Sequence, residues 1–399
     1  MIRDRNIVCV ASSWFDHPTS KHHVMRRLAA DNHVLWVNFH GSRRPALSRS
    51  DTGLILRRLR RIWAGPQSVQ PRLDVLSPLV IPLPELRPAR RLNAWLLARR
   101  VRAALRQLPS RPVQIWLFTP DVPELLAHLP AERIVYYCVD DFAAFSGFNT
   151  ALMEQLEART LAAADVVITT SARLYEERRT RHPAVHFVPH GVDFEHFAAA
   201  PTWPRTRLPA DVGHLPHPIF GYMGLISDYV DLDLLAAAAR ARPAWTFVLL
   251  GDVRCRTDAV VGLPNVHLLG GRPYEALPAY CAAFDVGLIP FRMNRLVRAV
   301  NPIKLREYLA AGLPVVSAPM GEVVRYAPAV QTAARLPTFL TACERALELA
   351  ADGRPADRQA LVRDEGWDRR VAELADLVMG TRGAPAKPAA APALATAAR

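Results

Sequence analysis

The stretch Asn301-Pro302-Ile303-Lys304-Leu305-Arg306-Glu307-Tyr308-Leu309-Ala310-Ala311-Gly312-Leu313-Pro314-Val315-Val316 holds the start, body and stop of a short helix, then the opening of a strand. Asn301 suits the N-cap, and Pro302 suits the first helical position. Gly312 suits the residue after the last turn, with Pro314 just beyond it. The free N–H groups and the macrodipole at such a helix start attract an anion. Lys304 puts a cation in that first turn, against the dipole, which costs stability unless an anion binds too. Glu307 follows at i+3, on the same face. A diphosphate on the helix start and Lys304, with a ribose diol on Glu307, fits a nucleoside diphosphate. The plain alternative is a solvated Lys–Glu pair. The capping pattern and the strand edge argue against it.

The same rhythm extends upstream. Ile219–Met223 reads as a strand ending in Gly224, Thr246–Leu250 as one ending in Gly251-Asp252, and Val266–Leu269 as one ending in Gly270-Gly271. Val286–Pro290 and Val315–Ser317 are further strands, and Leu232–Arg240 and Pro302–Ala311 are helices. The first part of the chain shows strands at Ile7–Val10, Val34–Val37, Val75–Leu79, Val113–Phe118, Ile134–Cys138, Val166–Thr169 and Val185–Val188. Helical spacing appears at His22–Ala30, Asn93–Gln107 and Thr150–Ala164. This alternation implies an α/β protein with parallel sheets covered on both faces and ligands at the carboxyl edges of the strands. The expected organisation is a domain over 1–197, a proline-rich linker over 198–218 and a second domain over 219–355. A helical segment over 356–379 would pack back on the first domain, and the Ala/Pro tail 380–399 reads as disordered.

Composition narrows the class. The chain has 399 residues, 50% of them hydrophobic and 22% charged, which is ordinary for a globular protein. No apolar run approaches the ~20 residues that span a bilayer, and the start MIRDRNIVCV lacks the apolar stretch of a secretory signal. Cys9, Cys138, Cys255, Cys281 and Cys343 are scattered and never at C-x-x-C spacing, which disfavours a disulfide framework or zinc knuckle and suits a reducing cytoplasm. The formal charge of +13 comes from the first part of the chain, where residues 1–111 hold 21 Lys and Arg against 6 Asp and Glu. Within it, Arg91, Trp95, Arg99, Arg102 and Arg106 share one face of a helix whose apolar stripe lies elsewhere. Leu54–Trp63 is a second basic-aromatic segment. Trp with Arg suits an anionic membrane surface, at about 1 kcal/mol per cation. A solvated arginine face is the alternative. No nucleic-acid-binding motif is present, so nucleic acid is not an expected partner.

The stretch 301–316 resembles the donor-site signature of GT-B glycosyltransferases of the group 1 type, in the form seen in teichuronic-acid and exopolysaccharide transferases. Ser12–Leu28, Val135–Asp141, Ala164–Ser171, Val188–Asp193, Gly221–Asp228, Phe247–Asp252 and Val266–Leu277 agree in the same order. The resemblance implies two Rossmann-like domains facing each other across a cleft. The C-terminal domain would take a nucleotide-sugar donor, with uridine the implied nucleotide. The N-terminal domain would take a saccharide or lipid-linked acceptor, at the inner face of the plasma membrane. Two features depart from the wider pattern. Ala299 stands where the first acid of an E-x7-E pair would be, and the loop Gly224–Asp228 carries no cation. Diphosphate charge would then fall on Lys304, the helix start and Arg298. The closer local likeness is to the glucuronosyltransferase of xanthan-type assembly, in which an acid in a V-Y-x-x-x-D setting is the base and the anomeric configuration inverts. Carried over, that acid is Asp140, with Asp141 its rival, and His22 or His23 would donate to acceptor oxygens. Asn301, Ile303, Gly224, Leu225, Gly271, Arg272, Tyr274 and His190 complete the implied donor side. Asp231-Leu232-Asp233 has the spacing of a metal clamp but suits a helix cap better. No metal or other cofactor is expected. A GT-B-shaped sugar-nucleotide epimerase and a non-catalytic transferase-like subunit are the alternatives.

Overall fold

A computed structural model describes residues 1–39 and 65–380. The basic-aromatic segment Leu54–Trp63 and the tail beyond Gly380 lie outside the described residues. The chain forms two compact units. The first is Met1–Pro189 together with the residues from Arg370, and the second is His190–Arg369.

Among the described residues, the first unit is built on eight strands: β1 (Asn6–Ala11), β2 (His33–Asn38), β3 (Gln67–Gln70), β4 (Leu73–Leu76), β5 (Val113–Leu117), β6 (Arg133–Cys138), β7 (Val166–Thr169) and β8 (Val185–Phe187). Their order is β3-β4-β2-β1-β5-β6-β7-β8, parallel except for the antiparallel β3–β4 pair at one edge. All six residues of β1 are buried, as expected of a central strand covered on both faces. The second unit has β9 (Ile219–Met223), β10 (Thr246–Leu250), β11 (Val266–Gly270), β12 (Val286–Ile289), β13 (Val315–Ser317) and β14 (Val330–Thr332), all parallel in the order β11-β10-β9-β12-β13-β14. Strand order reverses between β1 and β5 in one sheet and between β9 and β12 in the other. Such reversals open a crevice at the carboxyl edge, where ligands of open α/β sheets bind.

Several boundaries differ from expectation. The strand expected at Val75–Leu79 runs over Leu73–Leu76 and pairs with β3, which alternation did not reveal; Pro78 has no N–H to extend it. The helix expected from Asn93 begins at Arg87, because Pro88 is well tolerated in a first turn. The expected linker 198–218 is part of the second unit. Ala200, Val212 and Leu215 are buried in its core. Its prolines mark irregular backbone and not an exposed connection. The helix Trp367–Val378 divides, its residues from Arg370 onward counting with the first unit. There the Gln114 amide meets the Met379 sulfur at 3.6 Å, and the N-terminal amine lies 3.9 Å from Asp376.

A buried charge network supports the edge of the first sheet. Arg178, 4% exposed, meets Glu157 at 3.0 Å and Asp141 at 3.7 Å, and Tyr136 donates to Glu157 at 2.9 Å. Removing one partner leaves a buried charge uncompensated, which costs far more than an exposed pair is worth. Glu157→Ala is therefore expected to lower unfolding free energy by about 3–5 kcal/mol in denaturant titrations, against under about 1 kcal/mol for truncating the exposed pair Arg179–Glu176.

Candidate active site

In the second unit, Lys304 occupies the second position of the helix Ile303–Ala310, which has no acidic residue in its first turn. The helix stops as its sequence implies. Gly312 has φ +73°, its N–H bonds to Leu309, and the Leu313 N–H bonds to Tyr308. The Lys304 side chain reaches the strand-order reversal. Its ammonium lies 4.3 Å from the ring centroid of Tyr222 on β9 and 4.8 Å from that of Phe291 just after β12, and it donates to the Tyr222 hydroxyl at 3.1 Å. Gly224 closes over it. A Cβ there would sit 2.8 Å from Nζ, and its φ of +126° is open only to glycine. Gly251 is equally constrained, since its Cβ would lie 1.9 Å from the Gly224 carbonyl oxygen. Burial pushes Lys304 down to about 7, with the Glu307 charge pulling the other way. Burial likewise raises Glu307 to about 7; Lys304 opposes that rise and Asp193 adds to it. Among the described residues the Glu307 carboxylate accepts no hydrogen bond.

The first unit has a parallel arrangement. Lys21 is the second residue of the helix Ser20–Leu28, which follows β1 and again has no acid in its first turn. Burial lowers Lys21, and the charges of Asp140, Cys9 and Asp16 pull it back up. Asp140 follows β6. Burial raises it to about 7, Lys21 opposing and Asp141 reinforcing the shift. A carboxylic acid poised near neutrality at a carboxyl edge is suited to general acid–base work.

Comparison with known proteins agrees with this architecture. Residues 217–352 match the family described as Glycosyl transferases group 1. The putative teichuronic acid biosynthesis glycosyltransferase TuaH of Bacillus subtilis is 28% identical over 276 residues, covering 64% of this chain and 68% of that protein. Sucrose-phosphate synthase from Thermosynechococcus elongatus superposes with a TM-score of 0.68 at 16% identity, covering 94% of this chain and 99% of its own. Anabaena HepE in complex with UDP and glucose gives 0.63, also at 16% identity, with coverage of 94% and 99%. Residues 217–352 thus carry a group 1 glycosyl transferase domain, and the chain has the GT-B fold.

Several residues expected in the donor and acceptor sites are engaged elsewhere. Asn301 does not cap the helix. The N-cap is Pro302, and the Asn301 side chain accepts from Arg306 at 2.7 Å and donates to Glu322 at 3.5 Å. Asp141 is the buried partner of Arg178 and is not a free base. His22 is locked. Its Nδ1 accepts from the Thr19 N–H at 3.0 Å, its Nε2 meets the Trp14 carbonyl at 3.2 Å, and its ring packs in one cluster with those of Trp14 and Trp36, at 5.2 and 4.8 Å. Burial lowers it to about 3, so it stays neutral and is a structural residue of the first turn. Arg272 is tied to Asp211 and Tyr280, each at 2.6 Å. Tyr274 stacks on His196 at 4.8 Å and belongs to the core.

The others keep open positions or frame the site. Leu225 is 42% exposed beside Gly224, and its carbonyl accepts from Tyr222. Gly271 leaves room for Asp252, whose Oδ1 would lie 2.6 Å from an added Cβ. Arg298 is exposed, Ile303 is partly buried, and His190 and His23 are buried, His190 with its ring 6.1 Å from that of Trp367. Asp231 caps its helix by accepting from Leu234 at 3.1 Å, and Asp233 pairs with Arg292. Among the described residues no group of three or more His, Cys, Asp or Glu is gathered as a metal site. The sequence reading passed over Lys21, although it breaks the same first-turn charge rule as Lys304. It also passed over the Tyr222–Phe291 platform.

If burial governs the Lys304 ammonium, NMR of dimethylated protein should show this lysine titrating near pH 7, with the exposed amines titrating near 10. Glu307→Gln removes the charge that holds the proton on and should move the midpoint lower still; a midpoint near 10 in both proteins would refute the burial argument.

Proposed function

We propose that the enzyme transfers a sugar from a uridine diphosphate sugar to a saccharide or lipid-linked saccharide in cell-surface polysaccharide assembly. One observation carries the donor assignment. A half-buried lysine stands at the carboxyl-edge crevice between β9 and β12, with a carboxylate one turn behind it. HepE, with a matching fold, was solved with UDP and glucose, and TuaH carries a polysaccharide assignment in its name.

In this reading Lys304 and the N–H groups of the helix 303–310 hold the diphosphate, and Glu307 accepts from a sugar or ribose hydroxyl. Leu225, Gly271 and Arg298 border the donor. Asp140 takes the proton of an acceptor hydroxyl as its oxygen bonds to the anomeric carbon. The bond from that carbon to the phosphate oxygen breaks, the nucleoside diphosphate leaves with the electron pair, and the configuration inverts. Nothing in this chemistry requires a metal, because the leaving group's charge falls on Lys304.

The basic face supports a peripheral membrane location. Arg91, Trp95, Arg99 and Arg102 are exposed on the helix Arg87–Leu105 and Arg106 is exposed at its C-cap, while Ala94, Leu97, Ala98 and Val101 are buried. No described helix is long and apolar enough to cross a membrane.

A thermal-shift panel of nucleotides and nucleotide sugars is expected to single out a uridine diphosphate series for the wild type and to lose that response in Lys304→Ala. An equal response to every nucleotide in both proteins would remove the donor assignment. Asp140→Asn should lower transfer by at least about 100-fold while donor binding stays within about threefold. The base must be ionised, so with donor saturating, and Lys304 therefore already charged beneath the diphosphate, kcat should rise with pH through about 7. Lys21→Met, by removing a charge that favours ionised Asp140, should move that limb to higher pH; an unmoved limb would take Lys21 out of the account. Flotation with vesicles should require anionic lipid and fail in an Arg91→Glu/Arg99→Glu/Arg106→Glu variant.

A further inference from the structure

We infer that the first unit carries a second anion site, a hollow of about 250 Å3 lined by Arg87, Arg90, Arg91, Glu124, Gln155 and Arg159, which binds a diphosphate group borne by the acceptor. The inference rests on the transferase reading above and names the chemistry by which the acceptor is held.

Four arginines face one glutamate here. Glu124 is shared by two of them, meeting Arg159 at 2.5 Å and Arg90 at 3.3 Å. Burial alone would raise Glu124, but these two guanidinium groups hold its carboxyl below the usual range, so it is ionised and already engaged. Arg90 is 9% exposed and is fixed further by donating to the Pro84 carbonyl at 2.7 Å. Arg87 and Arg91 are exposed, and among the described residues neither has an ion-pair partner. The hollow thus holds more positive charge than its own acid neutralises. Two arginines are rigidly positioned and two are free to close on a ligand. Planar guanidinium groups bind phosphate oxygens in pairs, so this set suits a diphosphate better than a single carboxylate.

The placement connects the hollow to the chemistry. The helix Arg87–Leu105 precedes β5 and runs against it, so its first turn lies at the carboxyl edge of the sheet, the edge that carries Lys21 and Asp140. Arg90 and Glu124 also line a smaller neighbouring cavity of about 50 Å3, with Asp121, Asn149 and Phe148, among the loops after β5 and β6. An acceptor anchored by its diphosphate in the arginine hollow presents its saccharide along the edge on which the proposed base stands. Leu83, Leu86, Leu92 and Trp95, all more than 40% exposed, lie on or just before the same helix. They offer an apolar surface beside the anion site, as a lipid carrier requires.

The test titrates inorganic pyrophosphate into full-length protein held saturated with UDP, which keeps the probe out of the Lys304 site. The wild type should bind pyrophosphate, and Arg87→Gln/Arg91→Gln should weaken it at least tenfold with the UDP thermal shift unchanged. Arg159→Gln is a second, independent variant and should weaken it as well. A titration with glucose 1-phosphate in parallel should show weaker binding than pyrophosphate. Phosphatidylcholine vesicles containing phosphatidylglycerol separate a diphosphate site from a membrane face. No pyrophosphate binding, binding indifferent to all three arginines, or arginine-dependent binding to vesicles alone would each overturn the proposal. Failure of UDP to bind the wild type, with arginine-dependent pyrophosphate binding intact, would overturn the donor reading and leave this site standing.

Discussion

The arrangement turns on an ammonium group taken partly out of water at a break in strand order. Lys304 has two aromatic rings, one hydroxyl and a nearby carboxylate in place of its hydration shell. A fall from 10.5 to about 7 corresponds to roughly 5 kcal/mol disfavouring the charged form. Cation–π contacts return only about 2 kcal/mol in a desolvated setting, so the protein alone leaves the charge under-compensated. An anion at the helix start, as proposed for the donor, would supply what is missing. Much of the local structure serves this one group. Gly224 leaves space for Nζ, Gly251 leaves space for Gly224, and the cap at Gly312 ends the helix after two turns.

The first unit repeats the device with another purpose. Lys21, at the same position in its own helix, faces a carboxylic acid that burial has made reluctant to ionise. In the proposed mechanism the lysine of one unit binds the ligand with the acid as its partner, and the lysine of the other tunes the acid. The neighbours keep these roles separate. Asp141 is committed to Arg178 and Glu157, and His22 to backbone atoms of its own turn. Asp140, raised by burial to about 7, is not committed in this way.

The α/β class, the strand rhythm and the Lys304–Glu307 helix were legible because each depends on local chemistry. Apolar runs of four to six residues, a proline at a helix start and a glycine at its end are written in neighbouring residues. The cap assigned to Asn301 failed because Arg306, five residues on, competes for its side chain. The linker failed because proline content reports backbone irregularity and says nothing of burial, which depends on β9 and its neighbours. The role expected of His22 was misjudged for a related reason. The sequence gives two ring nitrogens but not the Thr19 and Trp14 backbone groups that occupy them. Lys21 was legible in principle, since a lysine in an uncompensated first turn is the anomaly that drew attention to Lys304. The Tyr222–Phe291 platform was not, because it joins residues nearly seventy positions apart.

The most direct test of the half-buried lysine is calorimetry of UDP binding at pH 8.5 in buffers of differing ionisation enthalpy. If Lys304 is mostly neutral in the free enzyme and charged beneath a diphosphate, binding should take up close to one proton. Lys304→Met should bind more weakly and lose most of that uptake. UDP binding without proton uptake by the wild type, or with the same uptake by Lys304→Met, would contradict the account.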